Sequence, residues 1–378
     1  MLKKQYVKSA VLFLILIFLF PIIVLISKKK TFSETENREL KPFPEISFQT
    51  IKDKSCMNDI EAYLSDHFPA RIKWVKAKLN LERLSGKEMI NNIYITDNAL
   101  YEKLPEPDYH ETDISVNSIN KFAENYSDTK VFAMIAPTSA GIYDDKLEPY
   151  LSQIDQKEFI SNIYSKFSDK VHKIDIFSAM YAARDEYIYY RTDHHWTSLG
   201  AFTAYKAAAK KMGLSCYENY NVEKETDDFR GTFYSKCLYD GVEADRIDAY
   251  KQQNIIKATR VTLDDGINQE IVDDIYFPEF LETNDKYCFF LGRNRALTYI
   301  HTNAGTNRKL LLIKDSYGNS FVQFMVQNYS EIAVIDLRYL KTSIMEFVDP
   351  NEFDHTLFLY NASTFSTDRN VKNIGLTQ

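Results

Sequence analysis

Cysteine is scarce, with four in 378 residues at positions 56, 216, 237 and 288 and no CxxC spacing among them. That excludes a disulfide-dense secreted scaffold and leaves free buried thiols or one bridge. Glycine (11) and proline (10) are also few, and with 45% hydrophobic residues the composition excludes a disordered chain. Basic clusters are missing beyond the amino terminus. Six of the 46 Lys and Arg residues lie in the first 30 positions, where there is no acid, leaving 40 basic against 53 acidic residues in the other 348. A body with a net charge of −13 speaks against non-specific nucleic-acid binding, because phosphate contacts need clustered Lys and Arg. There is no repeat at a solenoid period and no low-complexity tract.

What is present is aromatic and, at one end, strongly apolar. The 26 Tyr and 25 Phe supply core material and also suit sugar-facing clefts, where tyrosines stack and hydrogen-bond. The run AVLFLILIFLFPIIVLI, Ala10 to Ile26, lies between Lys3, Lys4 and Lys8 on one side and Lys28, Lys29 and Lys30 on the other. Its length is near the lower limit for a helix crossing the hydrocarbon core. No small-x-small cleavage site follows, so an uncleaved signal anchor is expected rather than a removed signal peptide. With lysines on both flanks the positive-inside rule nearly cancels, and the amino terminus tips it. The expectation is a single-pass cell-membrane protein with residues 1–30 as tail and anchor and the body extracytoplasmic.

Residues 31–98 read as a polar stem followed by helix. ETENRELKPFPEIS has the prolines of an extended linker, and MNDIEAYLSDHFPARIKWVKAKLNLERL has near-helical apolar spacing interrupted at Pro69. IYITDNALYE predicts a short hairpin turning at Asp97 and Asn98. From residue 99 to 378 strands and helices alternate, which predicts an α/β layer architecture. KVFAMIAPTSAGIYDD and KVHKIDIF read as buried strands, with KEFISNIYSKF a helix between them. RKLLLIKDSYGNSFVQFMVQNY reads as strand, turn and helix, EIAVIDLRYL as a strand, TSIMEFV as a short helix and HTLFLYNAST as a strand. Residues 213–300, rich in acids and tyrosines and less periodic, are expected to be excursions from the same sheet.

In open α/β sheets functional groups collect at the carboxyl ends of strands, and Ser316 in LLLIKDSYGNS sits at such an end. A serine there can project its hydroxyl from a tight bend beside helix-start N–H groups, Tyr317 and Gly318 among them, that suit an oxyanion. It can equally be a helix N-cap, as can Asp315. YYRTDHHWTSLGAF places Asp193, His194, His195 and Trp196 on one stretch. A serine nucleophile needs an imidazole base and a carboxylate that fixes the tautomer, and Asp193 with His195, or with His194, can supply both. Trp196 would pack on the imidazole or wall a cleft. The structural alternative is a histidine pair used in packing, with Asp193 or Thr197 as a cap. A metal site would use the same Asp and two His residues, but no HExxH and no cysteine set completes it, so no metal or cofactor is expected.

These residues resemble the bacterial DHHW proteins, named for Asp193 to Trp196, which are similar to the alginate O-acetylation proteins AlgX and AlgJ. ETENREL, SDHFPAR, IYITDNALYE, APTSAGIY, DFRGTFYSK, KDSYGNSF, VIDLRYL and LFLYNAST fall in the family's order across most of residues 34 to 365. The resemblance implies an SGNH hydrolase-like, flavodoxin-like α/β/α sandwich with permuted motif order. It implies Ser316 as nucleophile, His195 as general base and Asp193 as its carboxylate, with His194 the variable middle residue. Asn361 falls where an oxyanion-hole asparagine is placed, and Arg338 either contacts substrate or pairs with Asp336. The implied activity is O-acetyl transfer to a cell-envelope or secreted polysaccharide, with an integral-membrane O-acyltransferase delivering the acetyl group. An acetyl esterase, or a non-catalytic glycan-binding assembly protein, would use the same fold. No obvious carbohydrate-binding module follows Asn361.

Overall fold

The computed structural model describes residues 2–26, 30–147, 154–252 and 257–375, so Lys28 and Lys29 of the expected anchor flank lie outside the described residues. The chain divides into two compact units: Met1–Asn91 with Tyr234–Asp240, and Asn92–Phe233 with Gly241–Gln378.

The first unit opens with helix α1 (Leu2–Ile26), in which Tyr6–Val24 is long and apolar enough to cross a membrane, judged by length and composition. The expected helical stretch is split into α2 (Ser55–Asp66) and α3 (Arg71–Leu84), and the break at Pro69 is made by Ala70 in the left-handed region at φ 55°. The segment expected as an extended linker is instead pinned. Phe32–Ser33 pairs with Arg38–Glu39, Arg38 reaches Asp66 at 2.6 Å, Lys41 N–H donates to Asp66 at 2.9 Å, and Glu36 pairs with Arg71. The Arg38 hydrogen bond above all holds the Asp66 carboxyl down at about 2, against the cost of its partial burial.

The second unit is a mixed α/β structure around a large sheet. β1 (Ile93–Ile95) and β2 (Leu100–Glu102) form the hairpin expected at Asp97 and Asn98. Helix α4 (Tyr109–Asn125) is capped by Asp108 and α5 (Gln156–Lys166) by Asp155, each carboxylate accepting the N3 amide. Between and after them run β3 (Lys130–Ala136) and β4 (Val171–Lys173). Helix α6 (Ser198–Met212) starts at the Thr197 cap and ends at Gly213, whose φ of 69° a side chain would resist. Later come β5 (Tyr220–Phe229), β6 (Asp245–Gln252), β7 (Ala258–Asp264), β8 (Gln269–Val272) and β9 (Leu297–Thr302). The last elements are β10 (Lys309–Lys314), α7 (Tyr317–Met325), β11 (Glu331–Ile335), β12 (His355–Asn361) and α8 (Ala362–Thr367).

The sheet order is β8-β7-β9-β11-β10-β12-β3-β4. From β11 to β4 all neighbours are parallel, and β9, β7 and β8 extend the sheet antiparallel. Leu310 to Ile313 and Leu357 to Leu359 are fully buried, which is why these strands read as unbroken apolar runs rather than alternating ones. Residues 213–300 only partly join this sheet: β5 and β6 make a separate antiparallel ribbon with two register shifts. TSIMEFV is not an α-helix but one 3₁₀ turn, Ile344–Glu346, capped by Ser343.

Candidate active site

The histidine loop, just before α6, is closed by an isolated bridge between Tyr189 and Trp196, with Thr197 N–H donating to Ile188 O at 2.9 Å. Its backbone is held by Asp245, a fully buried carboxylate at the start of β6. Asp245 accepts from Arg191 N–H at 2.7 Å, Thr192 N–H at 2.8 Å, the Thr192 hydroxyl at 2.5 Å and the Tyr187 hydroxyl at 2.5 Å. These bonds satisfy the buried carboxyl, whose pKa burial pushes up, and fix the curvature that lets Asp193 meet His195. Asp193 Oδ1 accepts His195 N–H at 2.9 Å and lies 2.6 Å from His195 Nδ1, while Oδ2 accepts Thr232 N–H at 2.8 Å. Room for that second oxygen comes from Gly231, where a Cβ would stand 2.2 Å from it. Burial works against the Asp193 charge, but the His194 and His195 rings and these hydrogen bonds outweigh it and hold the carboxyl well below the usual range.

Ser316 ends the strand and turn LLLIKDS, and its Oγ lies 2.7 Å from His195 Nε2. Ser316, His195 and Asp193 therefore form one continuous buried hydrogen-bonded chain across residues that are 121 positions apart in sequence. The capping alternative for Ser316 is not what the side chain does, since its hydroxyl makes no cap bond. Asp315 takes that part, accepting Tyr317 N–H at 2.9 Å through Oδ1. Its other oxygen accepts both the Asn361 N–H and the Asn361 side-chain amide, at 2.8 and 2.7 Å.

In that arrangement the three expected oxyanion donors already have partners. The second hydrogen of the Asn361 amide points to Thr364 Oγ1 at 2.8 Å, and Asn361 Oδ1 caps α8 by accepting Thr364 N–H. Tyr317 N–H is taken by Asp315 Oδ1 and Gly318 N–H by Asp315 O at 3.1 Å. The Ser316 N–H forms no hydrogen bond among the described residues and is the donor left beside Oγ. Gly318 has a different reason to be glycine: a Cβ would come within 2.7 Å of the Lys314 side chain, which passes under it. Lys314 is buried and reaches Asn319 Oδ1 at 2.6 Å and Asp336 at 3.5 Å. Arg338 grips the same Asp336 with two bonds, at 2.9 and 2.6 Å, so the expected ion pair is formed.

The remaining loop residues pack beside this chain of contacts. Trp196 is fully buried, donating to Ser320 Oγ at 3.0 Å and packing on Tyr317 at 4.9 Å, so it locks the loop to α7 instead of walling an open cleft. The Tyr317 hydroxyl donates to His194 O at 2.6 Å. His194 tilts against the His195 ring with its Nδ1 3.6 Å from Asp193, farther than His195. Tyr287 escaped the sequence reading. It stacks on His195 with ring centres 3.6 Å apart and planes 9° apart, and its hydroxyl donates to Ser316 O at 3.1 Å. Burial pushes its phenol pKa far up, so it acts as a neutral donor. Asp193, His194 and His195 are close enough to hold a cation, but both His195 ring nitrogens are already committed to Asp193 and Ser316.

The DHHW protein model matches residues 88–335, well over half of the chain. The chain belongs to the DHHW family. Among solved structures, this DHHW protein is 27% identical to a DHHW family protein from Eubacterium siraeum, with a TM-score of 0.66 over 77% of this chain and 98% of that one. It is 20% identical to Bacillus cereus PatB1, with a TM-score of 0.63 over 73% of this chain and 98% of that one, a likeness of fold. PatB1 has also been solved with a sulfonyl adduct. The O-acetyltransferase domain of Pseudomonas putida AlgJ is a more distant match, 12% identical with a TM-score of 0.45 over 73% of this chain and 93% of that one. No curated protein is significantly similar to the chain.

Proposed function

We propose that this DHHW protein is a membrane-anchored, extracytoplasmic O-acetyltransferase that acts on a cell-envelope or secreted polysaccharide through Ser316, His195 and Asp193. The observation that carries the reading is the chain of contacts at 2.7 and 2.6 Å from the Ser316 hydroxyl through His195 to Asp193. In the first half-reaction Ser316 Oγ attacks the carbonyl carbon of an acetyl donor while His195 Nε2 takes its proton. The negative oxygen of the tetrahedral intermediate meets the Ser316 N–H. Collapse expels the donor's leaving group, which receives the proton from His195, and leaves acetyl-Ser316. In the second half-reaction a sugar hydroxyl gives its proton to His195 and attacks the ester carbonyl, and Ser316 Oγ departs with that proton. Asp193 stays ionised, holds the Nδ1–H tautomer and stabilises the imidazolium.

The fold we assign is the SGNH hydrolase-like sandwich with permuted motif order, which accounts for the serine lying after the histidine in sequence. α1 is read as the anchor that keeps the site near an integral-membrane O-acyltransferase as acetyl source. The sulfonyl adduct of PatB1 supports looking for the same chemistry here, because sulfonyl reagents trap nucleophilic side chains. The test is intact-mass analysis of the purified full chain with an activated aryl acetate, with Ser316→Ala beside it. One added acetyl on wild type and none on the variant is expected, followed by transfer to oligosaccharide hydroxyls. Release to water alone in the presence of acceptor would make the protein an esterase. No acyl-enzyme and no sulfonyl-fluoride labelling of Ser316 would end the catalytic reading.

A further inference from the structure

Helix α3 carries an apolar arc that its own unit leaves uncovered. At 100° per residue Trp74, Ala77, Leu81 and Leu84 fall on one side, with Lys73 and Lys78 on its two borders. Trp74 is 61%, Leu81 67% and Leu84 85% exposed, while Leu79 on the opposite side is buried. The helix holds five basic residues, Arg71, Lys73, Lys76, Lys78 and Arg83, against the single acid Glu82, so the expectation of no basic cluster beyond the amino terminus fails at this helix. Trp and Leu on one arc bordered by lysines is the pattern of a helix lying in the plane of a membrane surface, with ammonium groups reaching up to headgroups.

Position along the chain supplies the second argument. Val24, in the last turn of α1, lines the same cavity as Ala70, Arg71, Ile72 and Lys73 at the start of α3. Glu36, ten residues beyond the end of α1, is paired with Arg71, the first residue of α3. An apolar helix long enough to cross a bilayer thus ends beside the start of an apolar arc that water would otherwise wet.

We propose that α3 is an interfacial helix docked on an anionic phospholipid surface, with Trp74, Leu81 and Leu84 among the upper acyl chains and Lys73 and Lys78 at the phosphates. Lys and Arg near an anionic leaflet gain attraction that falls off within a Debye length, so docking should weaken in neutral lipid and in salt. No part of this depends on chemistry at Ser316.

The chain is suited to a direct measurement because it has two tryptophans, Trp74 exposed and Trp196 fully buried. The full chain would be reconstituted in vesicles of phosphatidylcholine with phosphatidylglycerol, carrying lipids brominated high on the acyl chains. Wild type should lose the Trp74 share of its emission to bromine, Trp74→Phe should show no bromine quenching, and the wild-type loss should shrink in pure phosphatidylcholine or with Lys73→Glu and Lys78→Glu. Trp74 quenched by aqueous acrylamide but not by bromolipid would overturn the proposal, as would Trp74 shielded from both, which would mean that a protein covers the arc.

Discussion

Tyr287 lies flat on the imidazole of His195 while its hydroxyl holds the carbonyl of Ser316, so one side chain touches both ends of the Ser316–His195 hydrogen bond. An aromatic stack of this kind is worth ~1 kcal/mol beyond area burial, and more when the other ring becomes a cation. Tyr287→Leu is expected to lower kcat about fivefold or more with KM little changed, and Tyr287→Phe, which keeps the stack, should fall much less. Steady-state kinetics on an activated acetate decide it, and a Leu variant with wild-type kcat would remove Tyr287 from any positioning role.

Substitutions in the Ser316, His195 and Asp193 chain should behave as one unit. Asp193→Asn is expected to cost about four orders of magnitude in kcat, because the neutral amide no longer holds the tautomer. Ser316→Ala should cost more, and adding Asp193→Asn to it should cost almost nothing further. Additive losses in the double variant would show that the two residues act separately.

Gly231→Ala tests the support behind the carboxylate. The new methyl would sit 2.2 Å from Asp193 Oδ2, so either the loop or the strand end must shift. A loss of ~1–3 kcal/mol in unfolding free energy is expected together with reduced kcat. Gly305→Ala, where nothing lies within 4 Å, is the control and should leave both unchanged.

His355 gives a pH dependence of known sign. Burial, with Lys130 nearby, lowers its pKa from 6.5 to about 4, and the Tyr329 hydroxyl lies 2.7 Å from Nδ1. The unfolded chain binds this proton more readily than the folded one, so stability is fully present above about pH 6.5 and declines as pH falls toward 4. The contribution is ~2 kcal/mol once solvent screening is allowed for. Thermal melts across that window should show Tm falling in wild type and a flatter profile in His355→Gln.

Asp336 sits between two cations, Lys314 at 3.5 Å and Arg338 at 2.6 Å, and has no exposed surface. Asp336→Ala leaves both cations without it and is expected to cost ~3–5 kcal/mol by chemical denaturation. Lys314→Met, which removes a buried charge and keeps its bulk, should cost distinctly less. Equal losses would mean that packing, not charge, dominates there.

The strand leading to Ser316 is legible because four apolar residues, Leu310 to Ile313, followed by KDS leave few alternatives to a buried strand and a turn, and both are found. TSIMEFV misleads because its apolar residues fit a helical period, yet the Ser343 cap is followed by only one tight turn. Asn361 is placed correctly at a strand end, but which way an amide points is set by Asp315 and Thr364, and no local spacing encodes that. Tyr287 and Asp245 both lie in the aperiodic stretch 213–300, where neighbours in space are unrelated to neighbours in sequence. Only the ordered set of motifs linked His195 to a serine 121 residues away.

The sheet order gives the two halves of the site a dependence in time. β12, the final strand, lies between β3 and the Ser316 strand β10, and Asp315 is tied to that final strand through Leu359 and Asn361. A chain emerging amino terminus first can fold the histidine loop's surroundings early, but the parallel block stays split until its last strand has been inserted. The surroundings of Ser316 are therefore complete only once that last strand is in place.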